Sequence, residues 1–313
     1  MTAPHEAIVS LPANMPATTA LAEAALRVWP EHDRYLKKSF AARDAAQLRT
    51  TETLAEAARK LAGDRLPEIA EAYRWTCDRL REEELHFHRA GTYRLKTFAE
   101  ADAEVYSNTE YMRQYMDGLL LSQVFWFNHA ASCHFFLTAV PNLLPKGGRF
   151  LEVGPGHGLM TYLALRDFAL AEAVAWDLSP VSIEQTRSAL ALLGFDEVNF
   201  AVRDIMTLEP GAEAFDLIVL SEILEHLEEP KAAMRRIRGA VRSGGLVFVN
   251  VPINSPSPDH LYLMETEDNA RSLLTDTGFE IVAEGFFPTQ GMVLERALRN
   301  RVSVSACMFA RPV

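Results

Sequence analysis

A doubly wound, mostly parallel α/β sheet of seven strands, preceded by an all-helical domain, is predicted by three observations. The first is a change of rhythm. Apolar residues recur at turn spacing from about residue 18 to residue 140, whereas after Pro145-Lys146-Gly147-Gly148 short apolar runs alternate with helical segments. The second is the succession of an apolar run, an acid, three glycines and a helical pattern across FLEVGPGHGLMTYLAL, residues 150–165. The third is size: 313 residues are long for one α/β domain and suit one such domain with a smaller companion.

In the first half Leu21, Ala24, Ala25 and Val28 lie at helical spacing, as do Leu61, Leu66, Ile69 and Tyr73 further on. Pro67 suits a first helical turn, and Ser107-Asn108-Thr109 is a set of capping residues before the aromatic segment EYMRQYMDGLLLSQVFWFNHAASCHFFLTAV. Residues 1–17, rich in Pro, Ala and Thr, read as a loosely held tail, which leaves 18–145 as a helical lid or substrate domain and 146–313 as the sheet domain. In the second half RFLEV, AVAWD, VNFAV, FDLIVLS and GLVFVNV read as strands, separated by helices at 158–169, 180–194, within 223–225, at 230–242 and beyond Glu265. Ser179-Pro180 supplies an N-cap and first-turn proline, and Gly244-Gly245 is expected to stop a helix before the fifth strand. TGFEIVAE and VSACMFARPV add two strands with no clear helix between them, an ending that suits an antiparallel hairpin.

Composition narrows the function classes. Apolar residues make up 49% and charged residues 23%, as in a globular protein with a sizeable core. A net charge of −11 with no Lys/Arg-rich run argues against a chain that holds nucleic acid by counterion release. Cys77, Cys133 and Cys307 lie far apart with no CxxC pair, so neither a disulfide framework nor a cysteine zinc site is expected, and a reducing cytoplasm fits. With no basic region leading into an apolar core at the N-terminus, and no run near the roughly 18 apolar residues of a membrane span, a soluble cytoplasmic protein is expected. The oligomeric state stays open, a homodimer included.

A strand, glycine loop and helix in succession place backbone N–H groups and a helix N-terminus at the carboxyl edge of a sheet, where ligands of doubly wound folds bind. A dinucleotide fingerprint needs its third glycine in the sixth position; here Gly154 and Gly156 are followed by Gly158, and the sixth position is Leu159. Glu152 places a carboxylate beside the loop, which would repel a pyrophosphate and attract an ammonium group. The loop therefore suits a nucleoside with a cationic tail.

With these residues the sequence resembles the Rossmann-like, class I S-adenosylmethionine-dependent methyltransferases, whose first motif is the acid-x-Gly-x-Gly-x-Gly found at 152–158. The resemblance covers about residues 147–313 and leaves out the helical half. It implies S-adenosyl-L-methionine as cofactor, held by Glu152, Gly154, Gly156 and Gly158. It also implies Asp177 on the ribose hydroxyls with Leu178 beside it, Asp204 on the adenine amino group with Ile205 beside it, and Ser221 at the end of the fourth strand. FDLIVLSEILEHLEEP and RSGGLVFVNVP match the family's later motifs.

A sulfonium methyl is already activated, so such an enzyme mainly aligns its acceptor and removes a proton where needed. His226, with its near-neutral reference pKa, and Glu222 are the catalytic candidates at the ligand edge, alongside Ser221 and Glu225. Glu222-x-x-Glu225-His226 also resembles the signature of magnesium-dependent O-methyltransferases, with Asp259-His260 a further ligand source, although these letters occur widely without metal. The acceptor pocket is expected from the helical half: Tyr106, Asn108, Tyr111, Tyr115, Gln123, Trp126 and His129, whose aromatic faces favour a sulfonium and whose amides select the acceptor. Interdomain core is an equal reading for each of them. The expected activity is methyl transfer to a small molecule of specialised metabolism, oxygen favoured over nitrogen or carbon. Two alternatives remain: a cyclase in which the cofactor's own amino group displaces methylthioadenosine, leaving a small cyclic amino acid, and a non-catalytic cofactor-binding partner subunit.

Overall fold

The computed structural model describes residues 11–139, 144, 146–209, 211 and 214–313. The first half is helical: α1 (Pro16–Val28), α2 (Asp33–Ala41), α3 (Ala45–Ala62), α4 (Leu66–Ala90), α5 (Phe98–Ala101), α6 (Thr109–Phe125) and α7 (Phe127–Ala139). Local signals explain several starts. Asp44 and Gln47 form a reciprocal capping box on α3, Pro67 sits in the first turn of α4, and the Asn108 side chain accepts from the Tyr111 N–H at 3.1 Å to cap α6. α4 and α6 cross at Gly118, where a Cβ would collide with the Thr76 side chain and lie 2.7 Å from the Ala72 carbonyl oxygen.

One expectation for this half needs correction. The proposed tail overlaps α1, which starts at Pro16 with Met15 and Ala17 buried against it; residues 1–10 lie outside the described residues. The long aromatic segment is two helices, because the Phe125 carbonyl accepts from Ser39 Oγ at 2.6 Å and Arg43 Nη2 at 3.2 Å while Trp126 adopts an extended conformation. A carbonyl already bound from α2 favours ending α6 there.

The second half contains β1 (Gly148–Val153), α8 (Leu159–Asp167), β2 (Leu170–Asp177), α9 (Pro180–Leu193), β3 (Val198–Val202) and β4 (Phe215–Ser221). α10 (Pro230–Arg238), β5 (Val241–Ile253), α11 (Glu267–Thr275), β6 (Phe279–Pro288), α12 (Leu294–Arg299) and β7 (Val304–Pro312) follow. The seven strands run in the order β3-β2-β1-β4-β5-β7-β6. β1 to β5 are parallel, and β7 is antiparallel to both β5 and β6. The antiparallel ending is as expected, but α12 interrupts the hairpin; at six residues it is too short to show a clear period in sequence. Gly244-Gly245 does not stop a helix: α10 has already ended at Arg238, and the pair lies inside β5, where the register with β4 slips between Phe215 and Leu217.

Alternation along the strands fills both faces. Phe150, Leu217, Phe248 and Phe309 face α7, α8 and α9, and Phe136 of α7 lies 5.1 Å from the Phe248 ring. Leu151, Val174, Ile218 and Val249 face α10 and α11 through Met234, Ile237 and Leu273. The core of the helical half is continuous with the first of these layers. Strand order reverses between β1 and β4, the place where doubly wound sheets open a crevice beyond their carboxyl ends. Among the described residues, no helix is long and apolar enough to cross a membrane.

Candidate active site

The loop after β1 is a tight left-handed turn. Gly154, Gly156 and Gly158 have φ of +64°, +53° and +72°, a region that side chains with a Cβ seldom enter. The Gly154 N–H donates to the Trp176 carbonyl at 2.7 Å, and Thr186 Oγ donates to the Gly156 carbonyl at 2.7 Å, fixing the loop to β2 and α9. Glu152 is turned into the protein. Its carboxylate accepts from the Thr161 N–H at 2.8 Å and from the Thr161 hydroxyl, tying β1 to the first turn of α8, and burial pushes its pKa up to about 7. His157 Nε2 faces the Met116 carbonyl at 2.9 Å, so the loop is also moored to α6.

The acids named from the sequence stand along the same edge. Asp177 ends β2, half-buried, and accepts from the Ser179 N–H at 2.8 Å; burial raises its pKa. Leu178 beside it is exposed. Asp204 follows β3, exposed, and accepts from the Met206 N–H at 2.8 Å, with Ile205 buried behind it. Ser221 ends β4 and accepts from Asn250 Nδ2 at 3.1 Å. Gly156, where only the Met116 methyl lies within 4 Å of the place of a Cβ, and a half-buried carboxylate at the end of the neighbouring strand fit a ribose-bearing nucleoside.

Beyond β4 the chain gathers an unusual set of ionisable groups. Glu222 is left-handed at φ +56°, and its N–H donates to the Asn250 carbonyl at 2.8 Å. Glu225 is fully buried: its backbone carbonyl accepts from the N–H groups of Leu261 and Tyr262 at 2.9 Å each, while its carboxyl group lies against that of Glu222, with which it can share a proton. Burial, and then the neighbouring Glu222, hold its pKa well above the ordinary carboxyl value. His226 Nδ1 lies 3.1 Å from the Asp259 carbonyl oxygen, and His260 Nδ1 lies 2.7 Å from that of Ser255. A carbonyl only accepts, so in each ring the proton is assigned to Nδ1 and the lone pair to Nε2. Both Nε2 atoms then face the same Glu225 oxygen at 3.9 Å. Donor atoms of Glu225, His226 and His260 fall within 4.8 Å of one another, and could hold a metal ion.

The helical half reaches this cluster through two tyrosines. Tyr106 closes a π-helical turn (Asp102–Tyr106), a distortion often found at functional sites, and its hydroxyl lies 3.0 Å from His226 Nδ1 and 3.3 Å from Asp259 Oδ2. Tyr115 is buried and bonds Ser257 Oγ at 2.6 Å and Asp259 Oδ1 at 3.3 Å. Burial would raise the Asp259 pKa, but His226, His260 and the Ser257 hydroxyl outweigh it and hold the group ionised. Tyr111 packs at 4.9 Å against Trp75 and at 6.0 Å against Tyr115. Asn108 is an exposed cap. Gln123, Trp126 and His129 form a separate group: His129 Nδ1 meets Ser122 and Gln123 at 3.2 Å, and the Trp126 indole donates to the Tyr73 hydroxyl at 3.0 Å. Sequence reasoning missed Ser257 and Tyr93, whose hydroxyl accepts from the Ser255 N–H at 3.1 Å. The available signal was the polar run SPSPDH directly after a strand.

A methyltransferase-domain family model matches residues 126–284, about half of the chain. The chain belongs to that family. Its cofactor is S-adenosylmethionine. The match begins at Trp126 and so takes in α7, leaving α1 to α6 outside it. Relatives include a ubiquinone biosynthesis O-methyltransferase of Coxiella burnetii, 26% identical over 129 residues, or 41% of this chain and 53% of that protein. A trans-aconitate 2-methyltransferase of Variovorax paradoxus is 29% identical over 124 residues, 40% of this chain and 45% of that one. The chain spans about half the length of the curated relatives it matches. Among solved structures, the mitomycin 7-O-methyltransferase MmcR aligns with a TM-score of 0.51 at 15% identity, covering 82% of this chain and 73% of that one, which is a likeness of fold.

Proposed function

We propose that this methyltransferase-family protein transfers a methyl group to the oxygen of a small-molecule acceptor bound between the sheet edge and the Tyr106–Tyr115 segment. One observation carries the reading: the glycine loop and Asp177 share the carboxyl edge of β1, β2 and β4 with His226, whose ring is partly exposed there with Nε2 on the side of Glu225. When bound, S-adenosylmethionine supplies an activated methyl whose C–S bond breaks with its electron pair left on sulfur. In this reading the loop glycines and Ser221 seat the methionine portion and Asp177 takes the ribose hydroxyls, while Asp204 stands at the adenine. His226 takes the acceptor's hydroxyl proton on Nε2, and the Nδ1–H bond to Asp259 disperses the charge that results. Tyr106, Tyr111 and Tyr115 wall the acceptor side.

The test begins with calorimetric binding of S-adenosylhomocysteine, followed by mass spectrometry of the protein with S-adenosylmethionine alone and with a panel of hydroxylated small molecules. S-adenosylhomocysteine formed only with an acceptor supports the reading. Methylthioadenosine with a cyclic amino acid from the cofactor alone would sink it.

A second reading is favoured by the convergence of both imidazole Nε2 atoms on one buried Glu225 oxygen: a divalent cation held by Glu225, His226 and His260 that orients the acceptor oxygen. His226 is then a ligand and not the base. Titration with Zn²⁺ or Mn²⁺ should give one tight site that Glu225→Gln weakens, and transfer should stop in chelator. Full activity in chelator would return the site to acid–base chemistry.

A further inference from the structure

Asp259 turns two acceptors toward His226 Nδ1, beside the Tyr106 hydroxyl, which lies 3.0 Å from the same nitrogen and gives its proton to Asp259 Oδ2. The Asp259 backbone oxygen lies 3.1 Å from His226 Nδ1 and its Oδ2 lies 3.5 Å away. The carboxylate is itself held on both sides: Oδ1 accepts from Ser257 Oγ at 2.9 Å and the Tyr115 hydroxyl at 3.3 Å, and Oδ2 accepts from the Tyr106 hydroxyl at 3.3 Å. Two of those three donors come from the helical half. A third tie lies next door, where the Phe98 N–H at the start of α5 donates to Glu228 Oε1 at 2.8 Å, two residues beyond His226.

We propose that Asp259 is the positioning residue for His226, and that the helical half, by clamping Asp259 through Tyr106 and Tyr115, fixes the ring with its proton on Nδ1 and its lone pair on Nε2. Free imidazole exchanges between two tautomers, and only the one with a bare Nε2 can accept a proton or bind a cation in the direction of Glu225. The carboxylate acts mainly by anchoring the loop that carries the backbone oxygen, because that oxygen is the nearer acceptor. Seating α5 and α6 on the loop at 255–260 thus prepares the chemistry in addition to covering the acceptor. The inference rests on the reading that His226 works through Nε2, as base or as ligand, and gives the outer partner of the ring a role of the kind that orients ligating histidines.

The experiment is nitrogen NMR of the full chain, labelled in histidine and bound to S-adenosylhomocysteine, in chelator so that no cation holds Nε2. At about pH 8.5 an ordinary imidazole is neutral. His226, identified by its loss in His226→Gln, should show a protonated Nδ1. Asp259→Ala should move the signal toward a protonated Nε2 and lower kcat at least about tenfold with little change in acceptor KM. Asp259→Asn, which still accepts from Ser257 and Tyr115, should restore most of both. A His226 that keeps its Nδ1 proton in Asp259→Ala, with S-adenosylhomocysteine still bound, overturns the proposal. If Asp259→Ala fails to bind it, Tyr115→Phe decides, because that hydroxyl reaches Ser257 and Asp259 while the Tyr106 hydroxyl also touches His226 Nδ1 at 3.0 Å: the tautomer must shift there, or the proposal falls. Because the readout is spectroscopic, a protein that methylates no acceptor would defeat the functional reading and leave the tautomer result standing.

Discussion

On the proposed cofactor side of the crevice the candidate residues are close in sequence and built into the sheet: the glycines follow β1 directly, Asp177 ends β2, and Glu222 to His226 follow β4. On the proposed acceptor side the contacts join Tyr106 and Tyr115 to Ser257 and Asp259, residues more than a hundred positions apart and lying on a π-helical turn, α6 and a loop. The first side depends on backbone conformation, with positive φ and strand ends. The second depends on side-chain hydroxyls meeting a carboxylate, which no local pattern specifies. Substitutions on the two sides should therefore fail in different ways.

The largest effect is expected at Gly118, on the helical side. Gly118→Ala forces a methyl between α6 and α4, against the Thr76 side chain and the Ala72 carbonyl. It should cost about 3 kcal/mol in urea unfolding, while leaving the cofactor affinity of the folded fraction intact. A neutral result would mean that α4 and α6 separate easily, and that the helical half is no rigid clamp. Next comes Asp177→Ala, which should weaken S-adenosylhomocysteine binding by about 2 kcal/mol, or roughly thirtyfold, in calorimetry. Unaltered affinity there would remove the ribose from the end of β2. Tyr115→Phe should be milder, lowering stability by about 1 kcal/mol and raising acceptor KM with cofactor affinity unchanged. An equal loss of cofactor binding would erase the contrast between the two sides.

The smallest effect concerns pH, and here the halves should diverge in sign. Burial lowers His32, stacked between Trp29 and Tyr35, to about 4, so the folded helical half binds fewer protons there than the unfolded chain. That contribution to stability is fully present above the ordinary histidine pKa and is lost as pH falls toward 4. Glu152 behaves oppositely: its folded pKa is raised to about 7, so its contribution is greatest below the ordinary carboxyl range and is lost as pH rises through 7. Thermal unfolding of His32→Gln should show a flatter acid limb. Glu152→Gln should gain relative to the parent protein at about pH 8 and not in acid.

The strands were legible because buried parallel strands are short apolar runs, and the glycine loop because positive φ all but demands glycine. Gly244-Gly245 misled because glycine serves a bulged strand as readily as a helix end. The break at Trp126 was invisible because its cause, Ser39 and Arg43 on the Phe125 carbonyl, lies more than eighty residues upstream. Glu152 shows the same division within one residue. Its place before the glycines is a local fact, but its turn toward Thr161 follows from how α8 packs on β1.

By itself, then, the sequence determined the alternating sheet, its carboxyl-edge loop and the acids that end its strands, because each is set by propensity and spacing within a few residues. Only the tertiary structure decided that His226 and His260 aim their Nε2 atoms at one buried carboxyl, and that tyrosines from the helical half hold Asp259 in place. Those contacts depend on which distant surfaces meet, and that is settled by packing of the core between the two halves.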